Sequence, residues 1–225
     1  MTSDSMQFGF KPGASTTQCS WLVLEVCSYY LRKGTPVICT LMDCSKAFDK
    51  CRFDKLFEKL ITRNIPAIVT RVLIYVYEEQ LGSIKLGGAI SSSFRITNGT
   101  RQGSVLSPTL FSLYLDDIIK KLRNSGFGCF VQGIWHGAAG YADDLILLAP
   151  NRETMARMIE VCETYALDHN LVFSTDPVPA KSKTKCIYMC GKTGNKLPDN
   201  LPKHLKLNGK ILPWVTHAAH LGHEI

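Results

Sequence analysis

At 225 residues, with 45% hydrophobic and 20% charged side chains, the chain has the composition of one globular domain or two small ones and not of a disordered or fibrous protein. Its 26 Lys and Arg against 19 Asp and Glu, a net charge of +7 and a pI near 8.9, favour a polyanionic partner such as nucleic acid over an acidic substrate or a membrane. Nine cysteines in no paired framework argue against a secreted disulfide scaffold and read as reduced thiols of an intracellular protein. There is no signal segment, and no apolar run reaches the roughly 18 residues of a membrane span.

In chain order, residues 1–13 show no period and read as an irregular lead-in. Ser15 and Gln18 form a Ser-x-x-Gln capping box, and Trp21, Leu22, Leu24, Val26 and Cys27 predict a helix to about Arg32. Gly34-Thr35-Pro36 stops it, and the apolar run 37–42 predicts a buried strand that delivers Asp43. Residues 44–49 read as irregular. Leu56, Phe57, Leu60 and Ile61 share one face of a helix over 53–62, and Asn64 and Pro66 separate it from a helix over 67–80. Strands 83–86 and 94–97 are expected to form a hairpin through Gly87-Gly88 and a serine run. Ser107 as cap and Pro108 at the first helical position launch a long helix to about Arg123, whose Asp116-Asp117 pair reads as a solvated face. A strand over 129–134, a hairpin at Asp143-Asp144, an amphipathic helix over 151–170, and a strand over 186–189 behind the basic stretch Lys181-Ser182-Lys183-Thr184-Lys185 follow. Weak strands near 205–207 and 211–215 lie in a Pro-, Gly- and His-rich tail.

These elements are organised around Tyr141-Ala142-Asp143-Asp144, two carboxylates at a turn between a small-residue run and an apolar one. A lone Asp-Asp at a hairpin tip is ordinary turn chemistry. Asp43, at the end of another strand, changes that: two strands side by side in one sheet bring the three carboxylates together, and convergent carboxylates repel unless a cation sits between them.

Five strings in order carry a resemblance: Phe8-Gly9-Phe10-Lys11-Pro12-Gly13-Ala14-Ser15-Thr16, Asp43-x-Ser45-Lys46-Ala47-Phe48-Asp49, Arg101-Gln102-Gly103-Ser104-x-Leu106-Ser107-Pro108, Tyr141-Ala142-Asp143-Asp144 and Leu221-Gly222. They resemble the successive motifs of reverse transcriptases, in the flavour of non-LTR retrotransposons, the long interspersed elements. The resemblance implies an α+β polymerase palm, with a small antiparallel sheet carrying the aspartates and helices packed on one face of it, plus partial fingers. It implies RNA-directed DNA polymerase activity on RNA template, DNA primer and dNTP, with two Mg²⁺ ions (or Mn²⁺) held by Asp43, Asp143 and Asp144. Hard oxygen ligands suit such ions.

By the same resemblance the backbone carbonyl of Cys44 helps hold the nucleotide-side ion, and Phe48 is either a steric gate against a ribose 2′-hydroxyl or a core anchor. Gln102 and Gly103 lie near nucleotide and template or form a plain glycine turn. Arg101 steadies phosphate or is a solvated loop charge. Lys183 matches the lysine that protonates pyrophosphate or belongs to a solvated basic run. Tyr141 and the hairpin His220-Leu221-Gly222 are placed at the primer end, with an ordinary turn as the alternative for the hairpin. His217, His220 and His223 with Cys186 and Cys190 make a poor zinc set, since no Cys-x-x-Cys is present. The family's first fingers strands are expected before residue 1 and its thumb after residue 225. The whole chain therefore reads as an incomplete fingers and palm domain of a longer polyprotein, with an inert, nucleic-acid-binding remnant as the alternative. A nuclear or cytoplasmic ribonucleoprotein setting goes with the family.

Overall fold

The apolar run 37–42 takes the centre of the molecule because it is buried on both sides, as a continuous rather than alternating pattern requires. In the computed structural model, which describes residues 3–101, 103–176, 178, 181–191 and 204–225, this run is strand β1 (Val37–Asp43). It pairs antiparallel with β3 (Asp144–Ala149) on one side and β4 (Lys185–Met189) on the other. The hairpin strand β2 (Ala138–Tyr141) lies beyond β3, and β5 (Trp214–Val215) beyond β4. The sheet order is therefore β5-β4-β1-β3-β2, and the β4–β5 edge is parallel, which departs from the all-antiparallel expectation.

Among the described residues six helices accompany the sheet: α1 (Thr16–Arg32), α2 (Ala47–Lys50), α3 (Phe53–Thr62), α4 (Ala67–Glu78), α5 (Ser107–Asn124) and α6 (Arg152–Asp168). Side chains alternate across each strand. Ile38, Met42, Leu145, Leu147 and Tyr188 accordingly face a core built with Leu56, Leu60, Phe111, Tyr114, Ile119, Met155, Ile159 and Tyr165 of α3, α5 and α6. Val37, Cys39, Ile146, Leu148, Ile187 and Met189 face the other way, onto Cys19, Val23, Val26 and Cys27 of α1. Helices thus cover both faces of the sheet, where the sequence pattern suggested one. The capping box at α1 forms as expected, with Ser15 Oγ accepting from the Gln18 N–H at 3.2 Å and Gln18 Oε1 accepting from the Ser15 N–H at 3.1 Å.

Several local expectations are corrected. Residues 47–50 form one helical turn, entered through Lys46 at φ +50°. The ribbon after α4 is nested: Leu81–Gly82 pairs with Phe94–Arg95, and Lys85–Leu86 pairs with Ala89–Ile90 around Gly87-Gly88, both at positive φ as a type I′ turn demands. Ser91 interrupts that ladder, its Oγ accepting from the Ile84 N–H. Likewise 129–134 splits into Phe130–Val131 and Ile134–Trp135 around the turn Gln132-Gly133. Ser107 is the first helical residue and not the cap, because its hydroxyl donates to the Arg101 carbonyl at 2.5 Å. Asp116-Asp117 is not a solvated face. Asp116 is wholly buried and paired with Arg63 at 2.8 Å and Lys120 at 3.0 Å, while Asp117 pairs with Arg63 at 2.6 Å and with Lys59. Among the described residues no helix is long and apolar enough to cross a membrane.

Candidate active site

Strand register builds the site. Asp43, the last residue of β1, stands directly across from Asp144, the first residue of β3, and Tyr141 pairs with Asp144 from the other side. The two residues between β2 and β3 are Ala142 and Asp143, and Ala142 sits at φ +58°, a left-handed conformation that costs a non-glycine residue on the order of 1 kcal/mol. The run of Leu41 and Asp43 on β1 and of Asp144 and Ile146 on β3 puts both aspartates on the α1 side of the sheet. There they line a cleft of about 370 Å³ with Lys181, Lys183, Lys185, His220 and Leu221. Asp143 lines a smaller space on the other side with Gln7, Cys44 and Phe173. Among the described residues no three His, Cys, Asp or Glu side chains form a ready-made ion cage.

The electrostatics of this end of the sheet are those of carboxylates short of positive charge. Among the described residues Asp43 Oδ2 is buried with no hydrogen-bond partner, and Oδ1 meets the Lys183 ammonium at 3.7 Å. The Asp43 backbone is held on both sides, its N–H donating to Thr184 Oγ1 at 3.3 Å and its carbonyl accepting from the Ser174 N–H at 2.7 Å. Burial, then the neighbouring charges of Asp143 and Asp43, raise the Asp144 carboxyl above the ordinary carboxylate range, with Lys183 opposing. Oxygen donors, an orphaned buried carboxylate oxygen and mutual repulsion fit a hard divalent cation. The Cys44 thiol is a soft donor ill-matched to such an ion, and burial, aided by Asp143 and Asp43, pushes it up to about 12.

The other predicted residues fall around this centre in separate places. Phe48 stacks on Phe111 of α5 at 4.0 Å between ring centroids and takes the edge of Phe10 at 6.4 Å. It also lines an open cavity of about 450 Å³ with Gly103, Ser104, Ser107 and Pro108, so core packing and access to solvent coexist in one ring. Gly103, at φ +84°, has nothing near its α-carbon that a side chain would meet, which leaves its backbone open to a ligand. Arg101 is exposed and lines a third cleft with Asp49, Asn98 and Thr100. Gln102 lies outside the described residues. Tyr141 is half-buried against the α1-side core. Leu221 and Gly222 form the turn of a small hairpin, at φ +51° and +82°, between Ala219–His220 and His223–Glu224.

Lys181, Lys185 and the segment 4–9 had no role assigned from the sequence, and His220, expected in the primer-end hairpin, proves to line the aspartate cleft. Lys181 and Lys185 share the aspartate cleft with Lys183, and their spacing of two along a strand-like approach was the available signal. His220 is buried in the cleft wall with neither ring nitrogen partnered among the described residues, and burial and then His223 lower it to about 4. The segment 4–9 packs directly behind the aspartate turn, a tertiary contact with no local signature.

A model of the family described as reverse transcriptase (RNA-dependent DNA polymerase) matches residues 1–224. The Pol polyprotein of the type-1 retrotransposable element R2 of Nasonia vitripennis is 28% identical over 153 residues, 68% of this chain and 14% of that protein. The corresponding polyprotein of element R2DM of Drosophila melanogaster is 30% identical over 149 residues, 66% of this chain and 14% of that protein. The chain thus spans a small part of the curated relatives it matches. Among solved structures, telomerase from Candida tropicalis in complex with a fragment of telomeric RNA superposes on 85% of this chain and 31% of its own with a TM-score of 0.61 at 12% identity, a likeness of fold. With the motif order, the aspartate-bearing sheet and these matches in agreement, the chain belongs to the reverse transcriptase family, in its non-LTR retrotransposon branch.

Proposed function

We propose that this chain carries the polymerising centre of a retrotransposon polyprotein, joining dNTPs to a DNA primer on an RNA template, as a palm with part of the fingers. The observation that carries the reading is the register that sets Asp43 against Asp144 beside the Asp143 turn. Two Mg²⁺ ions, replaceable by Mn²⁺, are the cofactor of the reading. Bound there, they supply activation of the primer hydroxyl and neutralisation of the charge that builds on the phosphates.

The chain's own residues divide the remaining work. Asp43, Asp143 and Asp144 would hold the ions, with the orphaned Asp43 Oδ2 available as a donor. Lys183, already drawn to Asp43, delivers a proton to the leaving pyrophosphate from its Nζ. The exposed side of Phe48 excludes a 2′-hydroxyl. Gln102 and the bare backbone of Gly103 meet the nucleotide and template, and Arg101 steadies phosphate. Tyr141 and the Leu221-Gly222 turn hold the primer end. Such a protein works as a ribonucleoprotein, in nucleus or cytoplasm.

The test is extension of a DNA primer annealed to RNA, with dNTPs and Mg²⁺, by this chain and by a version lengthened at both ends toward the size of its relatives. Because positioning supplies most of the rate in phosphoryl transfer, the lengthened version is expected to be faster by orders of magnitude. Salt-sensitive nucleic-acid binding without extension by either version would identify an inert remnant instead.

A further inference from the structure

The segment ahead of α1 reaches the aspartate turn through a chain of contacts that starts in the buried ion network of α5. The Asp4 N–H donates to the buried Asp116 carboxylate, and the Asp4 carboxylate takes a two-pronged pair from Arg123, at 2.5 and 2.7 Å. From this anchor the backbone runs alongside β2. The Gly140 N–H donates to the Met6 carbonyl at 2.8 Å, and the Phe8 N–H donates to the Gly140 carbonyl at 2.7 Å, so 6–8 add a short parallel rung to the strand that leads into the turn. Gln7, almost fully buried, folds its side-chain carbonyl back to accept from the Gly9 N–H at 2.9 Å.

Gly9 then presses its backbone onto the turn itself. A β-carbon built there would stand 2.1 Å from the Ala142 nitrogen and 2.9 Å from its α-carbon, both backbone atoms that cannot rotate aside. Gly9 is not among the residues at positive φ, so conformation does not demand a glycine; space does. The pressed residue is Ala142, the one strained position of the turn, and a strained backbone persists only where its surroundings over-determine it.

We propose that Gly9 is a positioning residue, whose bare backbone, anchored through Asp4, holds the Tyr141-Ala142-Asp143-Asp144 turn in the conformation in which its aspartates take up an ion. The ion-binding half of this inference rests on the reading of those aspartates as cation ligands. Adding one methyl group at Gly9 lifts the segment from Ala142 and frees the turn, while the sheet register below it, fixed by six β1–β3 pairs, stays in place.

Hydrogen exchange of the chain, read separately for residues 140–144 and for α6, tests the positioning, and Mn²⁺ titration followed by electron paramagnetic resonance tests its consequence. Gly9→Ala is expected to speed exchange at the turn and to weaken Mn²⁺ binding, each about tenfold or more, with α6 unchanged, since roughly 1 Å of misplacement is costly at such sites. Gly191→Ala, at a glycine whose added β-carbon would meet nothing among the described residues, is the control and is expected to match the parent. Asp4→Asn, which loosens the anchor without adding bulk, is expected to act in the same direction and more weakly, and it decides the matter if Gly9→Ala does not fold. Turn exchange and Mn²⁺ affinity equal to the parent's would overturn the proposal, and so would a rise spread evenly over the turn and α6, the mark of general destabilisation. If the parent binds no Mn²⁺ that Asp143→Ala abolishes, the cation-ligand reading fails, and the exchange measurement still decides whether Gly9 holds the turn.

Discussion

Two stretches of this chain spell the same pattern, Tyr114-Leu115-Asp116-Asp117 and Tyr141-Ala142-Asp143-Asp144. The first lies inside α5, where Asp116 is fully buried and every charge has a partner: Lys59 from α3, Arg63 at its C-terminal cap, and Lys120 one turn along α5. The second ends a hairpin, where Asp144 faces Asp43 and the nearest cation, Lys183, is mostly exposed and stands 3.7 Å from Asp43. A helix offers positions three and four residues away for compensating charge, and a packed helix partner offers more. A two-residue turn offers neither, so its carboxylates remain available to an external ion. The inner pair has become part of the fold and the outer pair is open to chemistry, although the four-letter string is nearly the same.

The largest expected effect tests the outer pair. Asp143→Ala should cut primer extension by at least about 10²-fold, since a lost ion ligand removes several kcal/mol of transition-state stabilisation. Thermal unfolding should move little, because Asp143 is a partly exposed turn residue. Residual extension above a few per cent in a steady-state assay would reverse the assignment of the two pairs.

The inner pair should respond the opposite way. Asp116→Asn removes the charge that Arg63 and Lys120 compensate and should destabilise the fold by about 3 kcal/mol, measured by urea unfolding. Activity per folded molecule should survive better than in Asp143→Ala. Equal loss of stability in the two variants would mean that the outer pair is structural as well.

How far this contrast could be read in advance depends on how local its causes are. The capping box of α1, the buried run of β1 and the period of α3 and α6 are properties of neighbouring residues, and they were legible. So was the hairpin at Asp143, through the small-residue run before it and the apolar run after it. The burial of Asp116 was not, because its main partner, Arg63, lies 53 residues away and an isolated helix gives no hint that α3 will cover it. Strands at Trp214–Val215 and in the outer ribbons were expected, but the parallel pairing of the first and the splitting of the others into two-residue ladders leave no period in the sequence. The contact of Gly9 with Ala142 was invisible for the same reason: Gly9 looks like any loop glycine until the turn folds against it.

A third substitution asks whether α5, the helix of the inner pair, also serves the outer one. Phe48 stacks on Phe111 of α5 while its other side opens to a cavity. Phe48→Val should cost about 1–2 kcal/mol of stability for a half-buried ring. It should also relax discrimination between dNTP and rNTP by about tenfold or more, because a steric block is removed. Stability loss with unchanged discrimination, in single-nucleotide incorporation assays, would leave Phe48 as packing alone.

The smallest effect is the sharpest comparison, because the two pairs should answer acid with opposite signs. Burial tends to raise Asp117, but its hydrogen bond from Lys59 and the charges of Lys59 and Arg63 outweigh that and hold it below the usual value of 3.8. Ionised Asp117 therefore stabilises the fold above pH 3.8, and that contribution is lost as pH falls through its lower folded value. Asp144 is raised above 3.8 by burial and by Asp143 and Asp43, so its folded form binds the proton more tightly than the unfolded chain does. Its contribution is fully present below pH 3.8 and is lost as pH rises through its folded value, leaving a small strain at neutral pH. Without divalent ions, Asp144→Asn should thus be slightly more stable than the parent at pH 7, by under about 1 kcal/mol given partial exposure, with the gap closing toward pH 3.8. Asp117→Asn should be less stable at pH 7, and its gap should close only below pH 3.8. Mg²⁺ sharpens the contrast further: an ion bound to the folded state alone stabilises it, so adding Mg²⁺ should raise the parent above Asp144→Asn and leave its difference from Asp117→Asn unchanged. Denaturation midpoints across pH 3–7, with and without Mg²⁺, read all of these signs, and a parent more stable than Asp144→Asn in the absence of ions would show that the outer carboxylates are already paired within the fold.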